Sequence, residues 1–120
     1  FAAFEMAKYN VGSGNVESAK PYLNWVISNG DLSGHINIAR LRLGRLLLDQ
    51  GHFIQALTVV TEVQATEFKS LINELTGDIY ISQGKRSEAA IAYATALSSL
   101  EQSDPRGLVL KLKLDDVAGS

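Results

Sequence analysis

The 120-residue sequence contains no cysteine. No disulfide scaffold, thiolate metal site or cysteine nucleophile can be built from it, and a chain without thiols suits cytosol and periplasm alike. Histidine is scarce too. His35 and His52 stand 17 positions apart, which excludes a local zinc motif, and nothing else calls for a metal or cofactor. No run approaches the roughly 20 apolar residues of a membrane span. The longest candidate, Leu41 to Leu48, is broken by Arg42 and Arg45. Neither sign of charge dominates: 11 Lys+Arg meet 13 Asp+Glu for a formal net charge of −2. Without a basic field, nucleic acid and anionic lipid are poor candidates for the main partner. At 46% hydrophobic and 20% charged residues the chain is too apolar for disorder and has the length of a single domain, residues 1–120. It opens at Phe1 without a methionine and reads as a fragment, so any signal peptide or anchor upstream lies outside it.

What the sequence does contain is a repeat. Gly14-Asn15-Val16-Glu17-Ser18-Ala19, Gly51-His52-Phe53-Ile54-Gln55-Ala56 and Gly84-Lys85-Arg86-Ser87-Glu88-Ala89 each set an alanine five positions after a glycine, at spacings of 37 and 33 residues. Gly44 and Gly77 are also 33 apart, and each precedes its partner glycine by seven. A glycine closing a helix supplies the left-handed conformation of a short helix-to-helix turn. The alanine one turn into the next helix lets the two helices approach. Gly44 and Gly77 do the same from the first helix of each pair, because a mid-helix glycine costs about 1 kcal/mol relative to alanine and close packing is the economical reason to keep two.

Helices are predicted over Phe1–Val11, Val16–Ser28, His35–Gln50, Phe53–Gln64, Glu67–Gln83 and Arg86–Leu100. Asn15 is the N-cap of the second, and Asn29 to Gly34 is a polar loop. Pro21 inside the second helix predicts a kink or a late start. Leu108 to Leu114 alternates as a strand would, yet Asp104-Pro105 is a helix start, and Leu110, Leu114 and Val117 share a helical face. The segment is read as a capping helix over 105–117. The repeats then fall at about 1–29, 35–66 and 67–100.

These residues resemble a tetratricopeptide repeat (TPR), a helical pair of about 34 residues with small and aromatic residues at set positions. The third repeat carries Gly77, Tyr80, Ala89, Tyr93 and Ala96. The second has Gly44, Phe53 and Ala56, with Leu47 and Val60 where aromatics are usual, and the first has Ala7 and Ala19. The fold implied is an all-α, right-handed TPR-like solenoid of three helical pairs plus the C-terminal capping helix. From Phe1 to Val117 the chain is more specifically similar to the periplasmic domain of the YfgM family, the ancillary subunit of the SecYEG translocon. Four stretches carry that resemblance: Phe4-Glu5-Met6-Ala7-Lys8, Ile36 to Arg45, Gly77-Asp78 with Ser82-Gln83-Gly84-Lys85, and Lys111 to Asp116. Pro21 and the pair Gly12, Gly14 depart from it. The resemblance implies a membrane anchor upstream, a domain on the periplasmic side of the bacterial inner membrane, and contact with the translocon and with periplasmic chaperones that receive exported proteins. It carries no catalytic motif.

The residues with chemistry to offer support a non-enzymatic reading. Gly12-Ser13-Gly14 lacks the preceding strand and the following Gly-Lys-Ser/Thr of a phosphate loop, so it reads as a turn. His35 and His52 have no orienting carboxylate in sequence and read as surface or capping residues. Asp115 and Asp116 are adjacent on a helix and point apart. Arg40, Arg42 and Arg45 form the densest basic cluster, either a solvated face or part of a groove. In TPR pairs the first helices line that groove, which brings Lys8, Arg45 and Asp78 to matching places, with Phe4, Leu41 and Leu48 as apolar neighbours. The candidate partner-binding set is therefore Lys8, Leu41, Arg45, Leu48 and Asp78, with no TPR-type carboxylate clamp. Trp25, between Leu23 and Val26, is expected to pack between repeats rather than anchor a partner. The function expected is a protein-interaction module at the translocon. A generic TPR adaptor in another compartment and, from a different class, a small-ligand or enzymatic helical domain are the alternatives.

Overall fold

The computed structural model describes residues 16–30, 33–63 and 65–118, and every regular element among them is helical. The helices are α1 (Val16–Asn29), α2 (Ser33–Asp49), α3 (Phe53–Thr61), a 3-10 turn (Thr66–Phe68), α4 (Lys69–Ser82), α5 (Arg86–Ser98) and α6 (Arg106–Ala118). The chain forms two compact units, Phe1–Gln64 and Ala65–Ser120. The expected helix over Phe1–Val11 and the loop Gly12-Ser13-Gly14 lie outside the described residues.

In the first unit α2 packs against α1 on one side and α3 on the other. Ala19, Leu23 and Val26 recur at helical spacing and are buried, as are Ala39, Leu43, Leu46, Leu47 and Leu48 of α2 and Ala56 and Val60 of α3. α1 begins at Val16 and runs through Pro21, so the late start expected from that proline does not occur. The proline ring opposes only the first turn of the helix and stands on its exposed face, where the loss of one N–H is tolerated. α3 ends at Thr61, three residues short of the expected end. Its second half is β-branched, and Thr58 and Thr61 turn their hydroxyls back onto the carbonyls of Ile54 and Thr58, at 3.0 Å each. Both features weaken the helical ladder there.

In the second unit α5 lies between α4 and α6. Ala89, Tyr93 and Ala96 of α5 join Leu110 and Val117 of α6 in one apolar cluster, with Tyr80, Leu97, Leu100 and Leu114 packed on it. Asp104-Pro105 starts α6 as read: the Asp104 carboxylate accepts the Arg106 backbone N–H at 2.9 Å and holds its guanidinium at 2.8 Å. Those bonds keep the Asp104 carboxyl below its ordinary value. At the far end Arg86 donates to the carbonyls of Asp116 and Val117, satisfying groups the last turn of α6 leaves open.

The two units turn their helical pairs in the same way, 33 residues apart. Gly51 and Gly84 adopt φ of 81° and 76°. Gly51 N–H donates to Leu48 O and His52 N–H to Leu47 O, while Gly84 N–H donates to Ile81 O and Lys85 N–H to Tyr80 O, at 2.8–2.9 Å throughout. This double closure is the Schellman motif, and left-handed backbone at its hinge is what glycine provides without a Cβ penalty. Ala19, Ala56 and Ala89, the alanines of the repeat, are all fully buried.

Gly44 and Gly77 are both buried. At Gly77 the reason is visible: a Cβ there would lie 2.5 Å from Cε1 and 2.6 Å from Cδ1 of Tyr93. The ring is buried and has no room to retreat. Alanine would recover about 1 kcal/mol of helix propensity, but overpacking a filled core costs about 1–3 kcal/mol. Gly77→Ala is therefore expected to lower the stability measured by chemical unfolding, and Gly77→Leu to lower it further. A gain in stability for Gly77→Ala would show that the α4–α5 crossing does not depend on this glycine.

Candidate protein-binding surface

The residues expected to line a binding groove have different fates. Lys8, like Phe4, lies outside the described residues. Leu41 is half-buried and Arg45 exposed on α2, at i and i+4 on one face. Leu48 is buried in the first unit. Asp78 belongs to the second unit, where its carboxylate has internal partners.

Those partners form a polar network that the sequence reading missed. The Tyr93 hydroxyl of α5 donates to Asp78 Oδ1 of α4 at 2.6 Å. From α6, Lys113 Nζ donates to Glu74 Oε2 at 2.8 Å and to both oxygens of Asp78 at 3.1 and 3.2 Å. The same ammonium stands 5.8 Å from the centre of the Tyr93 ring. Partial burial disfavours the Lys113 charge, but the hydrogen bonds it donates to Glu74 and Asp78 and their negative charges outweigh that cost and raise its pKa. One cation thus ties three helices together. Glu74 and Asp78 stand at i and i+4, which was legible in sequence. Lys113, 35 residues from Asp78, could not be paired with them without the fold.

His52 is exposed in its turn and makes no side-chain cap bond, and His35 is half-buried near the start of α2. Arg40 and Arg42 are half-buried, and Asp115 and Asp116 are exposed on α6. No group of three or more His, Cys, Asp or Glu side chains positioned to hold a metal occurs among the described residues. Trp25 corrects the sequence reading: it is 53% exposed rather than packed. The buried spacing Ala19, Leu23, Val26 sets the inward face of α1, and residue 25 falls well off it. The apolar neighbours in sequence, Leu23 and Val26, pointed the wrong way because adjacent helical residues face different directions.

The helical-pair geometry and its repeat agree with what comparison finds. Residues 1–119 match the family described as a tetratricopeptide repeat-like domain. The chain belongs to that family. The ancillary SecYEG translocon subunit of Neisseria gonorrhoeae (strain ATCC 700825 / FA 1090) is 32% identical over 114 residues, covering 95% of this chain and 51% of that protein. The protein of the same name from Buchnera aphidicola subsp. Acyrthosiphon pisum (strain APS) is 21% identical over 115 residues, covering 96% of the chain and 59% of its own length. The TPR-like domain thus spans little more than half the length of these relatives. No solved structure matches it significantly. The relatives carry the name to which the four sequence stretches pointed. Among the described residues of the TPR-like domain, no helix is long and apolar enough to cross a membrane.

The network makes a prediction about pH. A lysine whose pKa is raised on folding adds stability that is fully present below its unfolded value, near 10.5, and lost as pH rises through the folded one. The TPR-like domain is therefore expected to lose thermal stability on the alkaline side of pH 10.5. Lys113→Met is expected to lose about 1–3 kcal/mol at neutral pH, the scale of hydrogen bonds to charged groups, and to show a shallower alkaline decline. An unchanged alkaline slope in the variant would remove Lys113 as its source.

Proposed function

We propose that this domain is a non-enzymatic protein-interaction module of an inner-membrane-anchored subunit associated with the SecYEG translocon. On this reading it faces the periplasm and helps pass exported chains to periplasmic chaperones. The observation that carries the reading is the 32% identity, over 95% of the chain, to a protein named for that association. The helical-pair scaffold supports it, since tetratricopeptide-type repeats bind polypeptides on preformed helical faces with little ordering cost. The repeats proposed at 1–29, 35–66 and 67–100 with the cap at 105–117 make one right-handed solenoid domain.

The binding surface proposed is the row Lys8, Leu41, Arg45, Leu48 and Asp78. Within it Leu41 and Arg45 have surface to offer, while Leu48 is packed inside the first unit and Asp78 is engaged by Lys113 in the second. Such a mixed-charge, partly apolar face suits weak binding of varied polypeptides, with charge acting on encounter and register more than on affinity.

Affinity purification of the full-length, membrane-anchored protein from detergent-solubilised membranes tests the association. Subunits of SecYEG are expected in the eluate, and chaperones after cross-linking during export. Recovery of neither above an untagged control removes the proposal. Recovery of the translocon alone removes only the handover. Arg45→Glu is expected to lower recovery while leaving stability within about 0.5 kcal/mol, because the side chain is exposed. Unchanged recovery by that variant excludes the Arg45 face as the site.

A further inference from the structure

Six asparagines occur in the chain, and Asn29 alone is followed by a glycine. Asn10 and Asn15 precede valine, Asn24 tryptophan, Asn37 isoleucine and Asn73 glutamate. The neighbour matters because an asparagine carboxamide is lost by attack of the next backbone nitrogen on Cγ. That nitrogen gives its proton to solvent and bonds to Cγ. The Cγ–Nδ2 bond breaks, and Nδ2 leaves as ammonia, taking up one proton from solvent in return. Water then opens the cyclic imide at either carbonyl and leaves aspartate or isoaspartate. A side chain on the attacking residue hinders the approach, and glycine has none.

In the folded chain this reaction is held shut. Asn29 is the last residue of α1, and helical backbone turns the following nitrogen away from Cγ. The Gly30 N–H donates to Val26 O at 2.7 Å, which retains the proton that must leave. Asn29 Nδ2 donates to Trp25 O at 3.0 Å, which fixes the carboxamide along the helix. Both bonds satisfy carbonyls that the last turn leaves open. The glycine is nevertheless required. A Cβ at position 30 would lie 2.6 Å from Val26 O, a backbone atom, and 3.0 Å from Cγ1 of Ile36 on α2. The close fit of the end of α1 against α2 therefore demands the one residue that makes Asn29 vulnerable.

We propose that Asn29-Gly30 is a latent site of spontaneous succinimide formation, gated by the last turn of α1, and that its conversion to aspartate or isoaspartate releases that turn. The gate is the opening of the helix end, so the rate of modification follows how often the end opens. The product carboxylate replaces the donor that faced Trp25 O with an acceptor. It also sets negative charge at the C-terminal end of a helix, where the dipole disfavours it. Isoaspartate in addition routes the main chain through Cβ, which draws Gly30 N away from Val26 O. None of this depends on the translocon reading or on the row proposed to bind partners.

Peptide mapping by mass spectrometry, on the purified chain kept at mildly alkaline pH with and without guanidinium chloride, reads the modification at each asparagine. In the denaturant Asn29 is expected to convert faster than the other five, with isoaspartate, which ring opening yields and direct hydrolysis does not, among its products. In the folded chain the conversion is expected to be about tenfold or more slower, because only the opened helix end reacts. Ile36→Ala and the milder Ile36→Val remove packing from over Gly30. Both are expected to speed the reaction in the folded chain, the first more than the second, and to leave the rate in denaturant unchanged. Asn29→Gln, whose larger ring closes far more slowly, is expected to stay intact at that position in either condition. Asn29→Asp, which carries the charge of the product, is expected to lower the thermal unfolding midpoint. Equal rates in the folded and denatured chain, no isoaspartate from position 29 in denaturant, a folded-state rate indifferent to both Ile36 variants, or an Asn29→Asp variant as stable as the original overturns the proposal.

Discussion

A left-handed backbone at Gly51 and Gly84 is the constraint from which the helical pairs are built. The turn closes the carbonyls of residues 47 and 48 in one unit and 80 and 81 in the other with the same two bonds, and so fixes where the chain reverses. Everything after the reversal depends on helices meeting closely. α3 and α5 are 9 and 13 residues long, at or below the length at which an isolated helix holds itself in water. They persist because fully buried Ala56 and Ala89 let them lie against the preceding helix, and because the opposite residues fill the space between.

In the second unit a missing side chain decides the fate of a charge. Without a Cβ at Gly77, Tyr93 lies directly over α4, and its hydroxyl reaches Asp78 one residue further on. Lys113 completes the arrangement from α6. A carboxylate that repeat position alone would offer to a partner is thereby given over to holding three helices together. The cluster satisfies its own members, which is the condition under which partly buried charge is tolerable.

Much of this was legible in the residues. The glycine-to-alanine spacing marked both turns, the mid-helix glycine marked the close crossing, and Asp104-Pro105 outweighed the strand-like alternation after it. All three signals are local, since each acts through backbone conformation or through a clash within a few ångströms. The errors have local causes too. Pro21 stands near enough to the helix start not to delay it, and Trp25 follows the face set by Ala19, Leu23 and Val26 instead of its neighbours in sequence.

The sequence by itself determined that the chain is helical, that it reverses at Gly51 and Gly84, and that small residues sit where helices touch. Those outcomes follow from φ, from side-chain volume and from helical period, which are properties of single residues and their near neighbours. Only the tertiary structure decided that Asp78 is spoken for, that Leu48 is inside, and that Leu108 and Leu112 are outside. A charge 35 residues away becomes a partner only when α6 lies where it does. An alternating run of leucines likewise acquires an inside and an outside only when one side of its helix meets a core.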